Sequence, residues 1–289
     1  MTVQTMPQLD DPQSASVSAW TISGGGPVAT AMAALGRWGV PAVYVGVLGD
    51  DMAGRRIRAA FVEGGVDVSR LRHRSEMRSP VSLVLVEEET GRRAFLSLRD
   101  LDPGFGLTPS DRRLIQEASF LHLDGWYPTL GIAAAEVARR AGVTVSLDGY
   151  RVDERTPEWV SLTDVLIATE TFPERFTGEG ELEKACEELL RRGPELVVTT
   201  LGERGCYVKT QDRQFYSRGF QVDVVDTTGC GDVFHGAFLY GLLQEWPLTR
   251  VARLSNAAGA LTARGLGGRD GIPSLRELDS FLARRSETS

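Results

Sequence analysis

Cysteine and histidine are scarce in this chain of 289 residues, and long apolar runs are missing altogether. The three cysteines, Cys186, Cys206 and Cys230, are odd in number and far apart. They spell neither a disulfide framework nor the paired spacing of a zinc site. His73, His122 and His235 stand apart from one another, which leaves no histidine cluster for a metal. Unpaired thiols of this kind fit a reducing, cytoplasmic setting. The longest apolar strings, such as residues 81–86, are far too short to cross a bilayer, and no basic-then-apolar leader is seen at the start. Neither secretion nor a membrane partner is therefore expected. With a net charge of −7 and no basic block long enough to track a phosphate backbone, nucleic acid is a poor partner too. Internal repeats and low-complexity linkers are likewise absent.

What is present is ordinary globular composition, 42% hydrophobic and 25% charged, enough to bury a sizeable core. The length suits one α/β domain with an appendage. Helical and strand-like periods alternate, the pattern of a parallel sheet with helices on both faces. The spacing predicts helices over residues 27–38, 54–63, 130–141, 182–192, 232–244, 249–263 and 274–284. Strands are predicted at 42–47, 120–123, 143–147, 165–167 and 195–200. Two hairpins are expected, 79–86 with 93–98 around Glu89-Thr90-Gly91, and 205–208 with 214–216. The tail from Arg285 reads as frayed.

The segment from Asp226 to Gly236, Asp-Thr-Thr-Gly-Cys-Gly-Asp-Val-Phe-His-Gly, is the most informative in the chain. Gly229 and Gly231 let backbone N–H groups crowd against an anion, and the helix that follows adds a partial positive charge at the same point. A carboxylate held there, Asp232, is placed to take a proton from an attacking hydroxyl while the amides of Gly229, Cys230 and Gly231 stabilise a moving phosphoryl group. A lone turn of this composition would equally serve as a plain helix start with a favourable first-turn acid. Earlier, Gly24-Gly25-Gly26 opens an alanine-rich helix and would let a hydroxyl-rich ligand approach the backbone. After the strand ending at Thr200, the run Leu201-Gly202-Glu203-Arg204-Gly205 fits either a nucleotide loop or the turn of a hairpin.

These stretches together resemble the ribokinase-like (PfkB) carbohydrate kinases. Residues 226–232 match the D-T-x-G-A-G-D signature with cysteine in place of alanine. The run Gly25-Gly26-Pro27-Val28-Ala29-Thr30 resembles the G-G-x-x-x-N/T sugar segment, and residues 45–54 resemble V-G-x-D-x-x-G. The likeness implies a ribokinase-like three-layer α/β/α sandwich with a small β-sheet lid. A single kinase domain would span residues 1–289, its lid strands drawn from about 12–23 and 79–98. It implies an ATP-dependent phosphotransferase acting on a sugar or sugar acid. Asp232 would be the base, with Gly229, Cys230 and Gly231 as the anion hole. Nucleotide contacts would fall to Thr200, Gly202, Glu203, Gly205, Thr227, Asn256 and Gly268. Sugar contacts would fall to Gly25, Gly26, Thr30, Arg99, Asp124 and Arg151. Mg2+ would be organised with the help of Glu170, where the family's N-x-x-E element reads Thr169-Glu170-Thr171-Phe172. Asp226 and Thr228 would hold a monovalent cation such as K+. Lid strands in the family pair between subunits, and the apolar alternation of residues 79–86 permits a homodimer.

Among subgroups the core resembles the sulfofructose kinase-like branch, although Trp126 stands where an arginine is expected there. The family's usual first strand, with its sugar-binding aspartate, is expected upstream of Met1. Two rival readings share these residues: a nucleoside kinase of the same fold, and a sugar- or nucleotide-binding protein that has lost catalysis.

Overall fold

The computed structural model describes residues 1–3, 16–88, 93–98 and 104–286. The chain packs as two compact units, one formed by residues 1–101, 221–237 and 257–289, the other by 102–220 and 238–256.

The first unit contains a lid-like sheet. Strands β1 (Thr2–Val3), β2 (Val17–Ala19), β7 (Val81–Glu87) and β8 (Arg93–Leu98) join in the order β2-β1-β7-β8. The predicted hairpin is present, with β7 and β8 antiparallel from Val81 opposite Leu98 to Val86 opposite Arg93. Its connection, like residues 4–15, lies outside the described residues. β1, which joins β7 in parallel, adds a strand that residues 12–23 and 79–98 alone would not supply.

The body of this unit runs through α1 (Pro27–Arg37), β3 (Ala42–Val43), β4 (Gly46–Gly49), α2 (Met52–Glu63), β5 (Val66–Asp67) and β6 (Leu71–Arg74), with parallel pairs β3–β5 and β4–β6. The strand expected over 42–47 is thus two short ones, each with its own partner. Helix α2 starts two residues earlier than its periodicity implies, because the Asp51 side chain caps it by accepting the Gly54 N–H at 2.7 Å. The other Asp51 oxygen accepts the Ser79 N–H at 2.8 Å, so one carboxylate fixes both a helix start and the approach to β7.

The second unit is a six-stranded sheet. Helix α3 (Pro109–Gln116) leads into β9 (Phe120–Leu123), α4 (Pro128–Ala141), β10 (Thr144–Gly149), α5 (Thr156–Ser161), β11 (Val165–Thr169), α6 (Phe172–Thr177), α7 (Leu182–Arg191) and β12 (Leu196–Thr200). β9 to β12 are mutually parallel, and the hairpin β13 (Gly205–Thr210) and β14 (Gln214–Arg218) closes the sheet antiparallel to β12. The inner strands read as unbroken apolar runs because helices cover both faces. Leu166, Ile167, Val197 and Val198 are wholly buried. Two packed clusters hold the helices on, one around Leu147, Trp159, Phe172 and Leu189, the other around Ile115, Ala135, Ala138 and Val145. The short helices α5 and α6 escape a periodicity search since each has only six residues.

Three helices complete the chain: α8 (Cys230–Leu243), α9 (Leu248–Thr262) and α10 (Leu275–Ser286). Arg285 belongs to α10 and its guanidinium donates to the Gln221 carbonyl at 3.1 Å, so fraying does not begin there.

Candidate active site

The signature turn is closed by its own first acid. Asp226 is buried, 3% exposed; it accepts the Thr228 N–H at 2.8 Å on one oxygen and the Gly267 N–H at 3.0 Å on the other. It therefore clamps the turn and ties it to the loop before α10. Gly229 has φ +80°, and a β-carbon there would lie 2.1 Å from the Gly268 carbonyl oxygen. Only glycine lets the two loops touch. Helix α8 begins at Cys230, and its first regular bond runs from Val233 N–H to the Gly229 carbonyl at 2.9 Å. The Cys230 N–H just before it donates to the Thr227 carbonyl at 3.3 Å, a tighter turn leading into the helix. Gly231 is exposed, with open space where a side chain would be.

Cys230 packs inward, its thiol pushed up to about 12 by burial, with the nearby Arg93 charge opposing the shift. It stays a neutral thiol and takes the place of the family's alanine as a small packed group. The Thr228 hydroxyl oxygen is buried without a hydrogen-bond partner. Helix α8 lies close to α1 at Gly236, where an added β-carbon would meet the Ala31 carbonyl at 2.9 Å.

The glycine segment before α1 reaches the same neighbourhood through Arg269. Gly26 adopts φ +91° as the N-cap of α1 and Pro27 fills the first turn, where its missing N–H costs nothing. Thr30 is wholly buried. Arg269 donates from Nε to the Thr30 hydroxyl at 3.3 Å and from Nη2 to the Gly25 carbonyl at 3.0 Å, while its guanidinium lies over the Phe61 ring at 5.0 Å. Gly24 lies flat against it; a β-carbon there would be 2.5 Å from Nη1. Burial lowers the Arg269 pKa to about 10, opposed first by Tyr44 and then by the charge of Asp232. Gly25, Thr30, Asp226, Thr228, Gly229, Cys230, Gly231, Asp232 and Gly268 are therefore gathered in one unit, joined by Arg269. Sequence reasoning missed Arg269; the signal was an arginine directly after Gly267-Gly268, in a loop read only for its glycines.

The second unit carries the remaining candidates in two places. Thr200 ends β12 with its hydroxyl on the Ala168 carbonyl at 3.2 Å. Residues 202–204 form one 3₁₀ turn, and Gly205, at φ +100°, leaves no room for a β-carbon beside the Ser217 carbonyl. Gly205 is thus needed by the hairpin itself, whereas Gly202, at φ +60°, has open space beside it. Arg204 pairs with Glu170. Asn256 is buried and spends its amide donors on Ser217 and Arg218, with carbonyl distances of 3.0 and 3.1 Å. It fixes the end of β14. Asp124 and Arg151 line a small recess with Gly125, Asp148, Asp153 and Trp159. There Arg151 pairs with Asp153 and lies over the Trp126 ring at 5.1 Å. Arg99 lies outside the described residues.

The described residues contain no group of three or more His, Cys, Asp or Glu side chains able to hold a metal ion. No described helix is long and apolar enough to cross a membrane.

A two-unit α/β chain with a lid-like sheet, and with an acid after a glycine turn at a helix start, defines a sugar kinase of the ribokinase fold. Its sequence bears this out: the model of the pfkB family carbohydrate kinases matches residues 3–275, and the chain belongs to that family, whose named relatives are ATP-dependent sugar kinases. It is 33% identical over 287 residues to the ATP-dependent ribose-1-phosphate kinase of Halopiger xanaduensis, covering 99% of this chain and 93% of that protein. It is 30% identical to the 2-dehydro-3-deoxygluconokinase of Bacillus subtilis, covering 86% and 83%. A crystal structure of a candidate ribokinase from Agrobacterium tumefaciens superposes with a TM-score of 0.90 at 27% identity, covering 99% of this chain and 94% of that one. Nothing in these matches singles out the sulfofructose kinase-like branch.

Proposed function

We propose that this carbohydrate kinase moves the terminal phosphoryl group of ATP to a hydroxyl of a small sugar or sugar acid, with Asp232 as the general base. The observation that carries this reading is the position of Asp232. It stands in the first turn of α8, directly after the glycine turn that Asp226 clamps, at the positive end of that helix. In the proposed step Asp232 takes the hydroxyl proton, the freed oxygen forms a bond to the terminal phosphorus, and the bond from that phosphorus to the ADP oxygen breaks. The amides of Gly229, Cys230 and Gly231 hold the charge on the transferring group. The loop at Thr200 to Gly205, with Thr227, Asn256 and Gly268, is assigned to the nucleotide, Asn256 acting by holding β14. Gly25, Gly26 and Thr30 are assigned to the sugar, and so are Asp124 and Arg151 at their recess.

Magnesium, when bound, neutralises the nucleotide phosphates. Glu170, already paired with Arg204, offers it at most one carboxylate, so the ion would keep mainly phosphate and water ligands. A buried carboxylate beside an unpartnered buried hydroxyl suits a monovalent cation at Asp226 and Thr228. Apolar side chains stand exposed along the lid-like hairpin, Val81 at 50% and Phe95 at 56%, which supports pairing with a second copy of the chain. The cytoplasm is the compartment where ATP and reduced thiols fit this reading.

The direct test is mass spectrometry of the products formed from ATP and a mixed pool of sugars, sugar acids, sugar phosphates and nucleosides. A phosphorylated sugar or sugar acid is expected. A phosphorylated nucleoside as the main product would favour the nucleoside-kinase rival, and ligand-induced thermal stabilisation without ADP formation would favour a binding protein.

A further inference from the structure

Arg269 is a guanidinium taken largely out of water without an acid to pair with. Among the described residues no carboxylate lies within ion-pair distance of it. Its bonds go instead to a hydroxyl and a carbonyl, Thr30 and Gly25, and Nη1 is buried with no partner at all. A desolvated charge is ordinarily paired, because leaving it alone forfeits its hydration for nothing. The group is also held rigidly. Phe61 supports one part of it, Gly24 presses on it, and the Ser23 hydroxyl accepts the Arg269 backbone N–H at 3.1 Å. An arginine pre-set this way loses little freedom on binding an anion, and its planar fork matches phosphate and carboxylate alike.

Resting on the kinase reading above, we infer that Arg269 selects sugars that carry an anionic substituent, a phosphate or a carboxylate, and binds that substituent. The sugar's own anion is the better partner than the phosphoryl in transit. Arg269 is anchored on Gly25 and Thr30, the segment assigned to the sugar, and not on the amides of Gly229 to Gly231. Thr30, in turn, acts through Arg269 as a positioning residue.

The test compares ribose 1-phosphate with ribose, and 2-dehydro-3-deoxygluconate with fructose, on the full chain. Thermal shift without ATP reads binding, and ADP release with ATP reads turnover. Wild type should favour the anionic member of at least one pair by about 100-fold in kcat/KM and show a thermal shift with that member alone. Arg269→Met should lose about 100-fold on the anionic sugar through KM, at least about tenfold more than it loses on the neutral one. Arg269→Lys, which keeps the charge but not the planar fork over Phe61, should recover part of the loss.

Equal use of neutral and anionic sugars by wild type overturns the inference, as does failure of both anionic sugars to bind. A fall in kcat of the same size on both members of a pair in Arg269→Met also overturns it and places the arginine on the transferring phosphoryl. Should both variants fail to fold, the wild-type comparison alone decides. Anion-dependent, Arg269-dependent binding with no ADP formed from any sugar would refute the kinase reading and leave this inference standing.

Discussion

At Gly229 the backbone sits at φ +80° and any side chain would strike the Gly268 carbonyl. Gly229→Ala should therefore push the signature turn off the loop at residues 267–269. Strain of this kind costs about 1–3 kcal/mol, so a drop of several degrees in Tm is expected, with turnover falling further than stability alone explains. Gly231 is the contrasting case. Its added methyl meets open space, so Gly231→Ala should leave Tm within about two degrees while reducing turnover, if that space is where phosphate oxygens sit. Calorimetry beside an ADP-release assay separates the two. The chemistry-bearing residues of this turn were legible in the sequence because they are consecutive. Arg269 was not, since nothing local tells that an arginine after two glycines will fold back onto Thr30, far away in the chain.

Among the elements, α2 and β7 share a single fastener. Asp51 accepts N–H bonds from Ser79 and Gly54, and those two bonds, Ser79 first, hold its carboxyl below the usual value of 3.8. A carboxylate whose folded pKa is depressed contributes stability that is complete above its unfolded pKa and lost as pH falls through the folded one. Asp51→Asn should cost about 1–2 kcal/mol near neutral pH. The gap in Tm between variant and wild type should shrink as the solution is acidified below about pH 4; a gap unchanged by acid would show that the charge is not what matters. The run of residues 45–54, read from the sequence as part of the family likeness, thus earns its place by structure.

Long elements with strong periods came through well from sequence, α4, α7, α8, α9 and α10 among them, each within two residues at either end. The strand over 42–47 divided because its two halves have different partners, which a local pattern does not encode. Gly205 illustrates the same limit at a loop: the nucleotide and hairpin readings were equal from sequence, and the contact with Ser217 shows that the hairpin requires the glycine whatever else the loop does.

For the molecule as a whole, pH stability should carry the mark of one buried histidine. His122 on β9 sits against the Ser146 hydroxyl on β10 at 3.2 Å, and burial lowers its pKa to about 4. The unfolded chain takes up this proton below about pH 6.5 while the folded one does so only near 4. Stability is thus undiminished above 6.5 and declines as pH falls between the two values, by on the order of 3 kcal/mol. His122→Gln should flatten that part of the urea-unfolding profile; an unchanged slope would assign the acid sensitivity to other groups. The fold class was legible from alternating periods and motif order. The division into two compact units was not, because the chain leaves and re-enters each unit through α8 and α9, and composition does not change at those crossings.

The central claim concerns a single proton, and Asp232→Asn tests it most directly. Asparagine keeps the size of the side chain and leaves the helix start intact but cannot accept the hydroxyl proton. With saturating ATP and the sugar that wild type phosphorylates best, kcat should fall by about 10² or more, with the thermal shift caused by ATP retained. Full turnover in the variant would contradict the account.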